Sequence, residues 1–221
     1  MNNFIKSALW LLHTVILGQS LAGEFLTTNL QNEGEGSLRQ AIISANASSG
    51  TNTIRFSVDG TINVQAELPF ILGHIIFLGR GPERTLISGE NRTNSSSLFH
   101  INAGASATFQ GLTIKDAVSM LPGAAIHNSG RVTLENCLIT NHQAIDQGGA
   151  IYNLGQLVCL SSTICSNSVV GKRGTNIVTA GGGGAFKGTG GGLHVAGGSV
   201  VMTNCTLSAN VATGGRGGDN L

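Results

Sequence analysis

Three stretches decide the fold when they are set one over another: Gly130-Arg-Val-Thr-Leu-Glu-Asn-Cys-Leu-Ile-Thr-Asn-His142, Gly155-Gln-Leu-Val-Cys-Leu-Ser-Ser-Thr-Ile-Cys-Ser-Asn167 and Gly198-Ser-Val-Val-Met-Thr-Asn-Cys-Thr-Leu-Ser-Ala-Asn210. A fourth copy, Gly104-Ala-Ser-Ala-Thr-Phe-Gln-Gly-Leu-Thr-Ile-Lys-Asp116, aligns with them without gaps. Each copy has 13 residues, an apolar tenth position (Thr113 excepted) and a polar last one. The leading glycines lie 26, 25 and 43 residues apart. Ahead of the last three copies a second sub-motif recurs: Gly123-Ala-Ala-Ile-His-Asn128, Gly148-Gly-Ala-Ile-Tyr-Asn153 and Gly190-Gly-Gly-Leu-His-Val195. The unit is therefore about 25 residues of short alternating strands. Gly, Asn and Ser, which tolerate left-handed turns, separate the strands. The 43-residue interval reads as one unit carrying a Gly-rich insertion near 170–189.

Units of this size with no helical period cannot bury an apolar face alone, so they must stack. Coiling the chain sets each strand about 4.8 Å above its copy, and like residues then meet in columns. Val132, Leu157 and Val200 form one such column, and Ile139, Ile164 and Leu207 another. The expectation is an all-β chain, a right-handed parallel β-helix (a solenoid) over residues 73–221.

Residues 24–72 read as a cap that closes the open end of that solenoid. Ser37 with Gln40 makes a capping box, and Leu38, Ala41, Ile42 and Ala45 form the apolar stripe of a short helix. Strands are expected over Glu24–Leu30, Thr53–Val58 and Thr61–Val64, the last two around an Asp59-Gly60 turn. The first full turn of the coil is expected from Gly73.

Composition agrees with a turn-rich, uncharged solenoid. The chain carries 33 Gly and only 10% charged residues, while 41% are hydrophobic. This is too apolar for a disordered chain. Residues 1–22 read as a secretory signal: Lys6, an apolar run from Ala8 to Leu17, and the small-residue site Ser20-Leu21-Ala22. Removing Lys6 leaves 11 basic and 11 acidic residues. A chain of zero net charge has no long-range attraction for nucleic acid or anionic membrane, so nucleic-acid partners are not expected. No second apolar run follows, so no transmembrane segment is expected in the mature chain. The localisation read from this is exported, secreted or at the cell surface.

Cys137, Cys159, Cys165 and Cys205 lack the paired spacing of a zinc site. Cys137 and Cys205 share a column but lie two units apart, about 10 Å, beyond disulfide reach. All four are read as small buried core residues. Sequons stand at Asn46, Asn91, Asn94 and Asn204, and the last is expected to be buried in a ladder.

The order Gly-Ser-Leu-Arg-Gln-Ala-Ile (from Gly36), Thr-Ile-x-Phe (from Thr53), Gly-Thr-Ile (from Gly60), Glu-Leu-Pro (from Glu67), then the Gly-Gly-Ala-Ile at Gly148–Ile151 resembles bacterial surface β-helix proteins. The likeness is to the polymorphic outer-membrane-protein-like group, and it spans nearly all of residues 24–212. Gly183-Gly-Ala-Phe186 is a looser instance of the same motif. The resemblance implies an exported, outer-membrane-associated protein with a role in adhesion. The chain departs from the pattern: no Phe-x-x-Asn partner motif stands in its rungs, and no barrel or anchoring domain follows before Leu221.

Catalytic and cofactor sites are not evident. After residue 73 the acidic residues are Glu83, Glu90, Asp116, Glu135, Asp146 and Asp219, with no close pair for calcium or for glycoside hydrolysis. Asp116 and His142, both last in their copies, are read as a hydrogen-bonded turn column rather than part of a triad. No metal and no cofactor are expected.

The candidate ligand-binding residues are His127, Tyr152 and His194. Each follows an inward Ile or Leu and so points outward, where an aromatic column can meet sugar rings. The leading functional expectation is a non-catalytic surface protein in adhesion or glycan contact, its partner an extracellular glycan or a host or cell-surface molecule. A carbohydrate-active enzyme (polysaccharide lyase or glycoside hydrolase) on the same fold, or a fragment of a larger autotransporter-like protein, are the alternatives. The last rung has no cover, so self-association through it is also expected.

Overall fold

In the computed structural model residues 22–90, 96–173 and 187–216 are described. The expected signal segment up to Leu21, the centre of the Gly-rich insertion, the Gly183–Phe186 motif and the sequons at Asn91 and Asn94 lie outside the described residues. The described residues form a parallel β-helix of 20 strands and one helix. No helix among the described residues is long and apolar enough to cross a membrane.

The longest sheet has seven strands: Glu24–Thr27, Thr51–Phe56, His74–Leu78, Ser106–Gln110, Arg131–Glu135, Gln156–Leu160 and Ser199–Thr203. A second sheet of six runs from Gly60–Asn63 to Thr206–Ser208. A third has four strands: Phe99–Ile101, Ile126–Asn128, Ile151–Asn153 and Leu193–Val195. A fourth has three: Gln143–Ile145, Ser168–Val170 and Val211–Thr213. Every pairing is parallel.

The expected columns form. Val132, Leu157 and Val200 stand in register, as do Ile139, Ile164 and Leu207. Ile62, Ile87 and Ile114 extend the second column toward the N-terminus. A further inward column reads Ile54, Phe77, Phe109, Leu134, Cys159 and Met202. Phe77 and Phe109 stack at 4.8 Å, and Phe99 meets both edge-on at 5.5 and 4.9 Å. The aromatic bulk of the core thus lies toward the capped end.

The cap forms on Leu38–Ala47, where Ser37 accepts from the Gln40 N–H and Leu38, Ala41, Ile42 and Ala45 are all buried. Only half of the capping box closes, because the Gln40 side chain donates to Ser44 Oγ instead. Asp59-Gly60 is not a hairpin turn. Thr51–Phe56 and Gly60–Asn63 lie in different sheets, so the chain turns a corner there. These strands belong to the same sheets as the later ones, and the helix alone is a separate lid. The first coil to reach the first three sheets begins at His74 and ends at Ile101, close to the expected first turn.

One alignment shifts. Ser106 pairs with Arg131, so Ala105 and not Gly104 stands opposite Gly130. The true spacing is 25, and Ile114 replaces Thr113 in the isoleucine column. The shift also moves Asp116 into a column with Asn141, Ser166 and Ala209, all of which carry a left-handed φ of 51–58°. His142 therefore does not stand over Asp116. Its position in the preceding rung is Ala117.

The cysteines are free, as expected, but only Cys137 and Cys159 are buried; Cys165 and Cys205 are half-exposed. Asn204 is exposed on a turn at φ 53°, not buried in a ladder.

Candidate functional site

The third sheet shows why its outward column is built of rings. Its strands have three residues, and the first of each points into the core as Phe99, Ile126, Ile151 or Leu193. Strand alternation then turns the second residue outward. His127, Tyr152 and His194 occupy that column in register, as read from the sequence. The structure adds His100 beneath His127 and Phe70 beneath His100. Sequence reasoning missed both. His100 was within reach, since Phe99-His100 repeats the apolar-His step of Ile126-His127, whereas Phe70 precedes the motif and carries no such signal.

The five rings make one continuous stack. Centroids are 4.6 Å apart for Phe70 and His100, 5.4 Å for His100 and His127, 5.1 Å for His127 and Tyr152, and 5.6 Å for Tyr152 and His194. Such pairs contribute about 0.5–1.5 kcal/mol each beyond their burial. This geometry changes what the column offers. The faces of the inner rings are turned to one another, so a ligand meets their edges, and a free face remains only at the two ends.

Burial lowers the His127 pKa, against the opposing hydrogen bond to the Pro122 carbonyl, and burial also lowers that of His194. Both imidazoles are neutral near pH 7. His127 and His194 therefore present uncharged polar edges, with His127 tied to the loop at Pro122, while His100 lies 3.6 Å from the Glu67 carboxylate.

Beside the last ring a cleft of about 660 Å³ opens between Met120–Pro122, Asp146 and Lys187. Asp146 builds its neck. Its carboxylate accepts from the Lys172 N–H at 2.9 Å and pairs with Lys172 Nζ at 2.8 Å, and its carbonyl accepts from the Thr189 N–H at 3.0 Å. One residue therefore holds both the departure and the return of the insertion. Desolvation would raise the Asp146 pKa, but the Lys172 ammonium and N–H outweigh it and hold the carboxyl below its usual range.

Asp59 holds both Arg80 and Arg84, at 2.9 and 2.7 Å. Asp116 pairs with Lys115 at 2.8 Å, and Glu135 accepts from Gln110 at 2.6 Å. Among the described residues no three His, Cys, Asp or Glu side chains converge on a point that could hold a metal.

Compared with known proteins, the chain matches no family model, no curated protein and no solved structure.

Proposed function

We propose that this chain is an exported, non-catalytic surface protein of the polymorphic outer-membrane-protein-like kind, and that it contacts glycan through the ring column of its third sheet. The observation that carries the reading is the stack from Phe70 to His194, which repeats a ring edge once per rung. A row of donors and acceptors at fixed pitch suits a ligand that is itself a repeating polymer of hydroxyl-bearing rings.

The test is a glycan-array screen of the chain from Glu24 beside Tyr152→Ala and His194→Ala. Binding that either substitution abolishes, with the far-ultraviolet circular dichroism unchanged, supports the reading. A blank array, or binding indifferent to both, sinks it.

A second contact is proposed at the far end of the coil, with another copy of the chain. Among the described residues Ser199–Thr203, Thr206–Ser208 and Val211–Thr213 are the last strands in their sheets, and Val201, Leu207 and Val211 are about half exposed there. Helix Leu38–Ala47 covers the opposite end. The pairing therefore joins two like ends.

A further inference from the structure

The cleft beside His194 has two unlike walls. One wall is Met120 and Leu121, large apolar side chains that are 56 and 50% exposed on one short loop, with Pro122 beside them. Across from them the Lys172 ammonium is committed to Asp146, so that pair is neutral as a unit. Lys187 lines the same cleft, is exposed, and pairs with no carboxylate among the described residues. His194, the last ring of the column, closes one side. An apolar wall facing an ammonium that has no carboxylate partner among the described residues complements a ligand that is apolar on one face and anionic at one edge. A pyranose acid has that form: axial C–H groups on its face and a carboxylate on its rim.

We infer that this cleft takes the carboxylate-bearing sugar of an acidic glycan, with the carboxylate on Lys187 and the C–H face on Met120 and Leu121. The inference rests on the glycan-contact reading and narrows it to anionic polysaccharides. The ring column then carries the chain onward from the anchored residue, and Asp146 acts as a positioning residue that fixes the neck between Lys172 and Thr189.

The test titrates the same chain with a mannuronate tetramer, with its methyl ester, and with cellotetraose. An exposed ion pair is worth up to about 1 kcal/mol, so the ester is expected to bind about fivefold more weakly than the acid. Lys187→Gln should bring the acid to the level of the ester, and raising the salt from about 50 to about 300 mM should do the same. Lys187 is exposed, so the variant keeps its fold, which circular dichroism checks.

Equal affinity for acid and ester overturns the inference, as does Lys187→Gln leaving the acid unaffected. Cellotetraose binding that Tyr152→Ala removes, without any binding of the acid, also overturns it while leaving the glycan reading in place. No binding in any arm, together with a blank array, overturns both.

Discussion

The imidazole of His142 does in one rung what the carboxamide of Asn167 does in the next. Asn167 accepts the His142 N–H on Oδ1 at 3.0 Å and donates from Nδ2 to the Ile139 carbonyl at 3.1 Å. His142 accepts the Ala117 N–H on Nδ1 at 3.1 Å, and its Nε2 lies 3.0 Å from the Ile114 carbonyl. Asn210 repeats the pattern one rung on, bonding the Asn167 N–H at 3.1 Å and the Ile164 carbonyl at 2.8 Å. In each case the side chain satisfies one backbone N–H at the corner and also bonds a carbonyl of the rung before it. The acceptor at Nδ1 requires the neutral tautomer with its proton on Nε2.

This requirement makes acid a specific threat. Protonating Nδ1 would set an N–H against the Ala117 N–H inside the core. Burial, opposed by the Ile114 carbonyl and the Asp116 charge, accordingly pushes the His142 pKa from 6.5 to about 4. Between these values the unfolded chain binds more protons than the folded one, so stability falls as pH drops from 6.5 to 4 and levels off below. The loss is roughly 3 kcal/mol. His142→Asn keeps both hydrogen bonds without the titration. Urea midpoints at pH 7, 5.5 and 4 should therefore converge for the two proteins and then favour the variant; parallel profiles would remove the argument.

Gly155 shows how closely the backbones stack. A methyl group there would overlap the Gly130 carbonyl, which is backbone and has nowhere to move, whereas one on Gly73 meets nothing within 4 Å. Neither glycine has a left-handed φ, so strain plays no part in the comparison. Gly155→Ala is expected to cost about 1–3 kcal/mol by overpacking. Gly73→Ala should be neutral or stabilising by about 0.4–1 kcal/mol. Thermal melts of both settle it, and equal midpoints would show that the rungs can separate to admit a methyl.

The columns were legible in the sequence because stacking repeats the same environment every 25 residues. Where alignment slipped, it slipped by trusting a glycine. Gly104 resembles the leading Gly130, yet its φ of 83° marks a turn residue, and Ala105 takes the stacked place. The isoleucine column was the better ruler: setting Ile114 on Ile139 removes the Thr113 exception and recovers the true register. The Gly148-Gly149 pair is likewise readable only in part. Gly148 supplies a φ of 60°, and a Cβ on Gly149 would strike the Gly191 carbonyl, a clash that no local pattern announces. For the site, outward placement of His127, Tyr152 and His194 follows from alternation. That their faces turn to each other does not, because side-chain torsions answer to neighbours one rung away rather than to the strand that carries them.

The thiols divide by depth, and the division can be counted. Burial raises the Cys137 pKa to about 11 and that of Cys159 to about 12, so neither forms appreciable thiolate at pH 8. Cys165 and Cys205 are half-exposed. Only the thiolate reacts with a disulfide reagent. Native protein at pH 8 should release two equivalents of thionitrobenzoate quickly and four in denaturant. Four fast equivalents without denaturant would mean that the core around Cys159 opens readily.

Among the described residues the last rung leaves apolar side chains uncovered. Val201, Leu207 and Val211 are 55, 50 and 54% exposed, while Ile164, the counterpart of Leu207 one rung earlier, is 0% exposed. Strand edges with no partner strand among the described residues, beside exposed apolar side chains, can recruit another chain. Light scattering should therefore show a mass that rises from one copy to two with concentration. Leu207→Lys places a charge at the centre of the exposed end, where pairing would desolvate it, and should hold the chain monomeric. The substitution touches no interior rung, so its melting temperature serves as the control for folding. A wild-type mass that stays at one copy from micromolar to near-millimolar concentration would show that these edges are protected from pairing, and the tail-to-tail contact would have to be abandoned.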